Sequence, residues 1–161
     1  MDDKPLVTDN ALTFGDELPD GGALLALDVG TKTVGIATCD AGWRFATAGK
    51  TLVRGKFGKD SEALRAIVGE RSIKGVVIGL PRNMDGSEGP RAQASRAYAR
   101  NVAAALGLPV LLWDERWSTA SAEGAMIAQD MSRAKRAERI DSHAAAVILQ
   151  GAIDTLAGGG F

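Results

Sequence analysis

An acid ends the most apolar run near the start of this chain. Residues Leu24 to Leu27 read LLAL, and Asp28 follows at once. After a Gly-Thr-Lys-Thr turn at Gly30 to Thr33, a second apolar stretch runs from Val34 to Thr38. A short apolar run bounded by turn residues describes a strand covered on both faces, and two such runs joined by a short turn describe a β-hairpin. An unpartnered buried carboxylate is costly. Asp28 therefore has to leave the sheet at the strand end or meet a cation.

The rest of the chain continues in the same alternation of strand and helix signals. After a turn at Asp40 to Gly42, Trp43 to Val53 offers a third, less regular strand. Leu64, Ile67 and Val68 recur at helical spacing between Asp60 and about Arg71. Gly75 to Gly79 is a continuous apolar strand, and a polar loop, Arg82 to Gly89, leads to Pro90, which suits the first turn of a helix. That helix places Ala94, Tyr98, Val102 and Leu106 on one face and stops at Gly107. Pro109 to Trp113 is a fifth strand. Ser118 or Thr119 caps a helix to about Gln129, a basic link runs from Arg133 to Arg136, and the last helix spans roughly Ile140 to Leu156. The order βββαβαβαα implies an α/β protein with a five-stranded mixed sheet, its first three strands antiparallel and the later ones parallel, flanked by helices.

Charge is unevenly distributed along the chain. The first 21 residues hold six acids against one base, lack periodicity and read as a disordered acidic extension. Residues 22–157 read as a single domain and residues 158–161 as a flexible tail. Residues 22–161 carry 18 bases and 14 acids, a mildly basic body compatible with a nucleic-acid partner. No apolar run approaches the ~20 residues of a membrane span. A lone cysteine, Cys39, excludes an internal disulfide and a thiolate zinc cluster, so a cytoplasmic setting is expected, with Cys39 as a small buried hydrophobe.

Three acids stand out by position. Asp28 ends the first strand and Glu115 lies just past the fifth. If those strands are parallel, both carboxylates emerge at one edge of the sheet, where open α/β sheets place their sites. Asp141 begins the last helix on the face of Ala144, Ala145, Ile148 and Ala152. Clustered carboxylates repel unless a cation lies between them. All-oxygen ligands favour Mg²⁺ or Mn²⁺, and two such ions about 4 Å apart can clamp a phosphodiester during in-line displacement. Simpler roles stay open: a turn-former or cap for any of the three, a helix-dipole partner for Asp141, and Asp114 as the ligand in place of Glu115.

Taken together, LALDVGTKTVGIATCD, VVIGLPRNMDGSEGPRAQASRAYA, WDERWSTASAE and RIDSHAAAVILQ resemble the YqgF/RuvX family of the ribonuclease H-like superfamily. Four collinear motifs between Leu24 and Ile153 carry the resemblance. It implies a ribonuclease H-like fold and a metal-dependent nuclease with Asp28, Glu115 and Asp141 as catalytic metal ligands. It also implies a role in maturing the 5′ end of precursor 16S ribosomal RNA or in resolving Holliday junctions. Two positions depart from the family pattern: Thr33 stands where an arginine is usual, and Trp117 where a leucine is usual.

On this reading Lys32, Arg82, Arg91, Arg116, Arg133, Lys135 and Arg136 bind nucleic-acid phosphates at the same edge. Trp117 is the best candidate for base stacking, Trp113 reads as core, Asp85 as turn chemistry and His143 as a bystander. The implied partners are pre-rRNA, within ribosomal precursor particles, or branched DNA, for which a homodimer is needed. An Asp-x-Gly-Thr turn also occurs in two-lobed ATPases, but 161 residues hold one lobe. A nucleic-acid-binding assembly factor without catalysis is the alternative of another class.

Overall fold

The computed structural model describes residues 5–117 and 133–158. Its strands are β1 (Val7–Thr8), β2 (Ala23–Val29), β3 (Thr33–Cys39), β4 (Ala46–Ala48), β5 (Leu52–Val53), β6 (Ile73–Leu80) and β7 (Val110–Asp114). Its helices are α1 (Ala11–Asp16), α2 (Phe57–Arg71), α3 (Pro90–Leu106) and α4 (Arg133–Gly158), with a 3₁₀ turn at Glu115–Trp117. One mixed sheet has the order β1-β7-β6-β2-β3-β4, and β5 also pairs with β3. The β2–β3 and β3–β4 pairs are antiparallel, whereas β1, β7, β6 and β2 run parallel.

Strand alternation assigns each side chain to one of two cores. Leu25, Leu27, Val76, Ile78, Val110 and Leu112 pack with α2 and α3 on one face. Leu24, Ala26, Val77, Leu111 and Trp113 pack with α1 and α4 on the other. Leu24 to Leu27 are all fully buried, as a central strand covered on both faces requires. Gly107 ends α3 in the left-handed region at φ 66°, the conformation a glycine stop provides.

The sheet contains seven strands among the described residues, not five. The expected irregular strand at Trp43 to Val53 divides into β4 and β5, and the seventh strand comes from the segment expected to be disordered. There Asn10 caps α1 by accepting from the Thr13 N–H at 3.1 Å, and Val110 N donates to Leu6 O at 2.8 Å beside β1. Phe14 is 0% exposed, and a Cβ on Gly75 would lie 2.8 Å from its Cζ. An acidic composition hid one aromatic anchor and the glycine that makes room for it.

Helix positions differ from expectation in two further places. The basic run at Arg133 to Arg136 is the first turn of α4, not a link. On α3 the buried face runs through Ala92, Ser95, Tyr98 and Val102, leaving Ala94 exposed. The helix expected from Ser118 or Thr119 to Gln129, and residues 159–161 of the tail, lie outside the described residues. Among those described, no helix is long and apolar enough to cross a membrane.

Phe14→Ala tests the anchoring of the N-terminal segment. It is expected to cost about 3–5 kcal/mol in urea unfolding. A dispensable tail would show no change.

Candidate metal and nucleic-acid site

The carboxyl ends of β2, β6 and β7 share one edge because the three strands are parallel and adjacent. Leu27 pairs with Ile78, so Asp28 and Gly79 are the next residues outward on neighbouring strands; Gly79 in turn pairs with Trp113 of β7. Alternation with Leu24 and Ala26 puts Asp28 on the α4 face of the sheet. Glu115 leaves β7 in the 3₁₀ turn and lies across Gly79. A Cβ on that glycine would be 3.1 Å from both Cγ and Cδ of Glu115 and 2.8 Å from Ile148 Cδ1 of α4. Glycine at 79 is thus the space in which the Glu115 side chain rests, beside Asp28.

Electrostatics follow from that closeness. Burial, and then the negative charge of Asp28, push the Glu115 carboxyl up to about 7, with Arg91 pulling the other way. A partly buried oxygen pair that resists carrying two negative charges suits a hard divalent cation, which would take the place of the proton. Asp28 and Glu115 can therefore contribute two ligands. Among the described residues no group of three His, Cys, Asp or Glu side chains could hold a metal ion, and the side chain of Asp141 lies outside them.

The backbone nevertheless places Asp141. It is the ninth residue of α4, not the first, which removes the reading of a helix-end acid facing the dipole. It stands in helical register with Ala145, Ile148 and Ala152, all fully buried against the sheet. The adjacent Ser142 is buried, and its Oγ lies 2.9 Å from Thr51 Oγ1. Thr51 immediately precedes Leu52, which pairs with Val34, itself the partner of Val29. Asp141 thus sits on α4 level with the point where Asp28 leaves its strand.

Asp114 faces away from Asp28. It is 2% exposed and alternates with Val110 and Leu112, hence facing the α2–α3 side. Arg116 bonds it through Nη2 at 2.6 Å and Nε at 3.0 Å, with Arg82 Nη1 at 3.4 Å, and these guanidiniums hold its carboxyl below the usual range. Two of the bases expected to bind phosphate are thus paired with a carboxylate of this chain. Arg82 also pairs with Asp9 at 2.9 Å and with Glu88 at 3.4 Å. Lys32, on the β2–β3 turn, and Arg91, in the first turn of α3, are exposed at the edge. The side chains of Arg133, Lys135, Arg136 and Trp117 lie outside the described residues.

Other residues fall away from the edge or were not legible. Trp113 is core, Trp43 donates to Gly22 O at 2.7 Å near the opposite end of β2, and Cys39 is buried. Arg54 carried no signal in the sequence. Its Nη1 donates to Gly30 O at 2.6 Å, its backbone N–H donates to Lys32 O, and its guanidinium lies 5.1 Å from the Tyr98 ring centroid. It ties the turn after Asp28 to α3. A lone arginine just after a two-residue strand resembles any solvated base, so only the fold reveals that tie.

A family model described as "RuvX: Holliday junction resolvase" matches residues 22–155. The chain belongs to the RuvX family. A Novosphingobium aromaticivorans protein is 65% identical to this RuvX-family chain, covering 97% of it and 100% of the relative. A Sphingopyxis alaskensis protein is 63% identical, covering 94% and 99%. Both bear the name "Putative pre-16S rRNA nuclease". Among solved structures, Thermus thermophilus RuvC in complex with Holliday junction substrate aligns with TM-score 0.53 at 13% identity, over 85% of this chain and 96% of that one. The shared architecture is the ribonuclease H-like fold.

The raised carboxyl of Glu115 links stability to pH. Its carboxyl keeps a proton to about 7 when folded but loses it near 4.5 when unfolded, so stability falls as pH rises through that interval. Glu115→Gln in EDTA is expected to raise Tm by roughly 3–6 °C at pH 8 and to change it little at pH 4.5. Equal shifts at both pH values would refute the buried acid pair.

Proposed function

We propose that this chain is a divalent-metal-dependent nuclease that hydrolyses phosphodiester bonds in structured nucleic acid, with the 5′ extension of pre-16S rRNA as its substrate. The observation that carries this reading is the Glu115 side chain lying across Gly79 beside Asp28, its carboxyl pushed up to about 7. Asp28, Glu115 and Asp141 would hold a pair of Mg²⁺ or Mn²⁺ ions. When bound, the metal supplies Lewis-acid charge at the scissile phosphate and an acidified water. The chain's own residues bind and orient. Lys32 and Arg91 meet phosphates flanking the cut, supported by Arg133, Lys135 and Arg136 on the first turn of α4. Arg54 keeps the turn after Asp28 in place. Arg82 and Arg116 act indirectly, through the loop that they brace.

The substrate assignment draws on the names of the two bacterial relatives, and it implies a cytoplasmic protein working on ribosomal precursor particles. Junction resolution is the second reading, favoured by the description of the matching family and requiring a homodimer with paired sites. Cleavage of labelled RNA carrying the 16S 5′ extension and of a four-way DNA junction, each with Mg²⁺ or Mn²⁺, separates the two. Asp28→Asn is expected to lower the rate by more than about a hundredfold, since loss of even an outer-shell partner costs 10–100-fold. Gly79→Ala should fold and yet lose about tenfold or more, because its methyl group displaces Glu115. Tight binding of RNA with no cleavage under any condition would instead favour the non-catalytic assembly factor.

A further inference from the structure

Met84 is the most exposed large apolar side chain among the described residues, at 88%, and it stands on the loop between β6 and α3. That loop is braced throughout. At its start Arg82 pairs with Asp9, Glu88 and buried Asp114; near its end Glu88 takes Arg96 Nε at 2.6 Å and Nη2 at 2.7 Å. Between them Asn83 N donates to Ser87 O at 2.9 Å, Gly86 N to Asn83 O at 2.8 Å, and Ser87 N to the Asp85 carboxylate at 2.9 Å. Gly86 takes φ +88°, which the turn needs and a side chain would resist. Arg116 Nη1 donates to Met84 O at 3.4 Å, so the tip is one arginine side chain away from the backbone carrying Glu115.

We propose that Met84 is a base-contacting residue, a fixed apolar tip that packs against an unstacked nucleobase next to the cleavage site. The proposal rests on the nuclease reading for its ligand class and adds the element that engages bases. Exposure of a methionine on an unbraced loop would mean little, but this backbone is held by hydrogen bonds and ion pairs within the chain, so presenting the side chain there incurs little further entropy cost. Thioether flexibility lets one residue fit any base, and apolar side chains wedged between base steps are an established way to unstack them. Charge around the tip separates a base contact from a phosphate contact. Hydrogen bonds from Ser87 keep the Asp85 carboxyl below its usual range and thus anionic, while Arg82 and Arg116 are already paired. An anionic phosphate is thus less favoured at the tip than a neutral base.

The test uses the full-length protein in EDTA, so that binding is read without cleavage. One probe is RNA carrying the 16S 5′ extension, the other a four-way DNA junction, each with 2-aminopurine beside the expected cut. Wild type is expected to change the 2-aminopurine emission on at least one probe. Met84→Ala should abolish that change and weaken binding roughly three- to tenfold. It should leave the salt dependence of binding intact, because phosphate contacts are untouched. Met84→Leu should restore the signal. An emission change that persists in Met84→Ala, or no change on either probe with wild type, overturns the proposal. So does a Met84→Ala effect confined to protein self-association, which would make the tip a protein contact. A Met84-dependent signal from a protein that never cleaves would uphold the base contact and sink the nuclease reading.

Discussion

Two carboxylates brought to one partly buried sheet edge are the constraint on which the rest of the structure depends. Burial, and then the charge of Asp28, raise the Glu115 carboxyl to about 7, so the two acids cannot both be charged cheaply. The fold supports the strain instead of relieving it. Parallel β2, β6 and β7 align the strand ends, and Gly79 leaves the space that the Glu115 side chain and Ile148 of α4 occupy. An acid pair kept in that state lowers the stability of the folded protein as pH rises.

Asp114 and Glu115 show how one step along the chain separates scaffold from chemistry. Asp114 faces the α2–α3 side and is neutralised by Arg116 and Arg82; Glu115 turns over Gly79 to the α4 side and meets another acid. Removing one partner from a buried ion pair costs several kcal/mol because the other charge is stranded. Arg116 and Arg82 are therefore tied to architecture. Through Arg82, Glu88 and Arg96 the same network reaches Asp9, linking the N-terminal segment to the loop that carries Met84.

Much of the fold was legible in the residues themselves. The LLAL run, the apolar stretch before Pro81, and Pro90 and Gly107 bracketing a helix all mark elements that formed near the expected places. Each is a local signal: propensity, period or a cap. The N-terminal segment was not legible, because its order depends on Phe14 fitting over Gly75 sixty-one positions away. The start of α4 was misplaced for a related reason. A basic run looks like a linker when nothing in the sequence shows which face of it is covered.

The sequence by itself determined the class of fold, the acids at the strand ends, and, through four collinear motifs, the family. Tertiary structure separated neighbours: Glu115 lies across Gly79 while Asp114 is paired with Arg116 and Arg82, and Lys32 and Arg91 are left exposed at the edge. The physical reason is that composition and period report what a residue can do, whereas charge pairing and close approach depend on which residues meet. Asp114 and Glu115 carry the same carboxyl group. Only the partners brought to each by the folded sheet make one a structural anion and the other a reluctant acid.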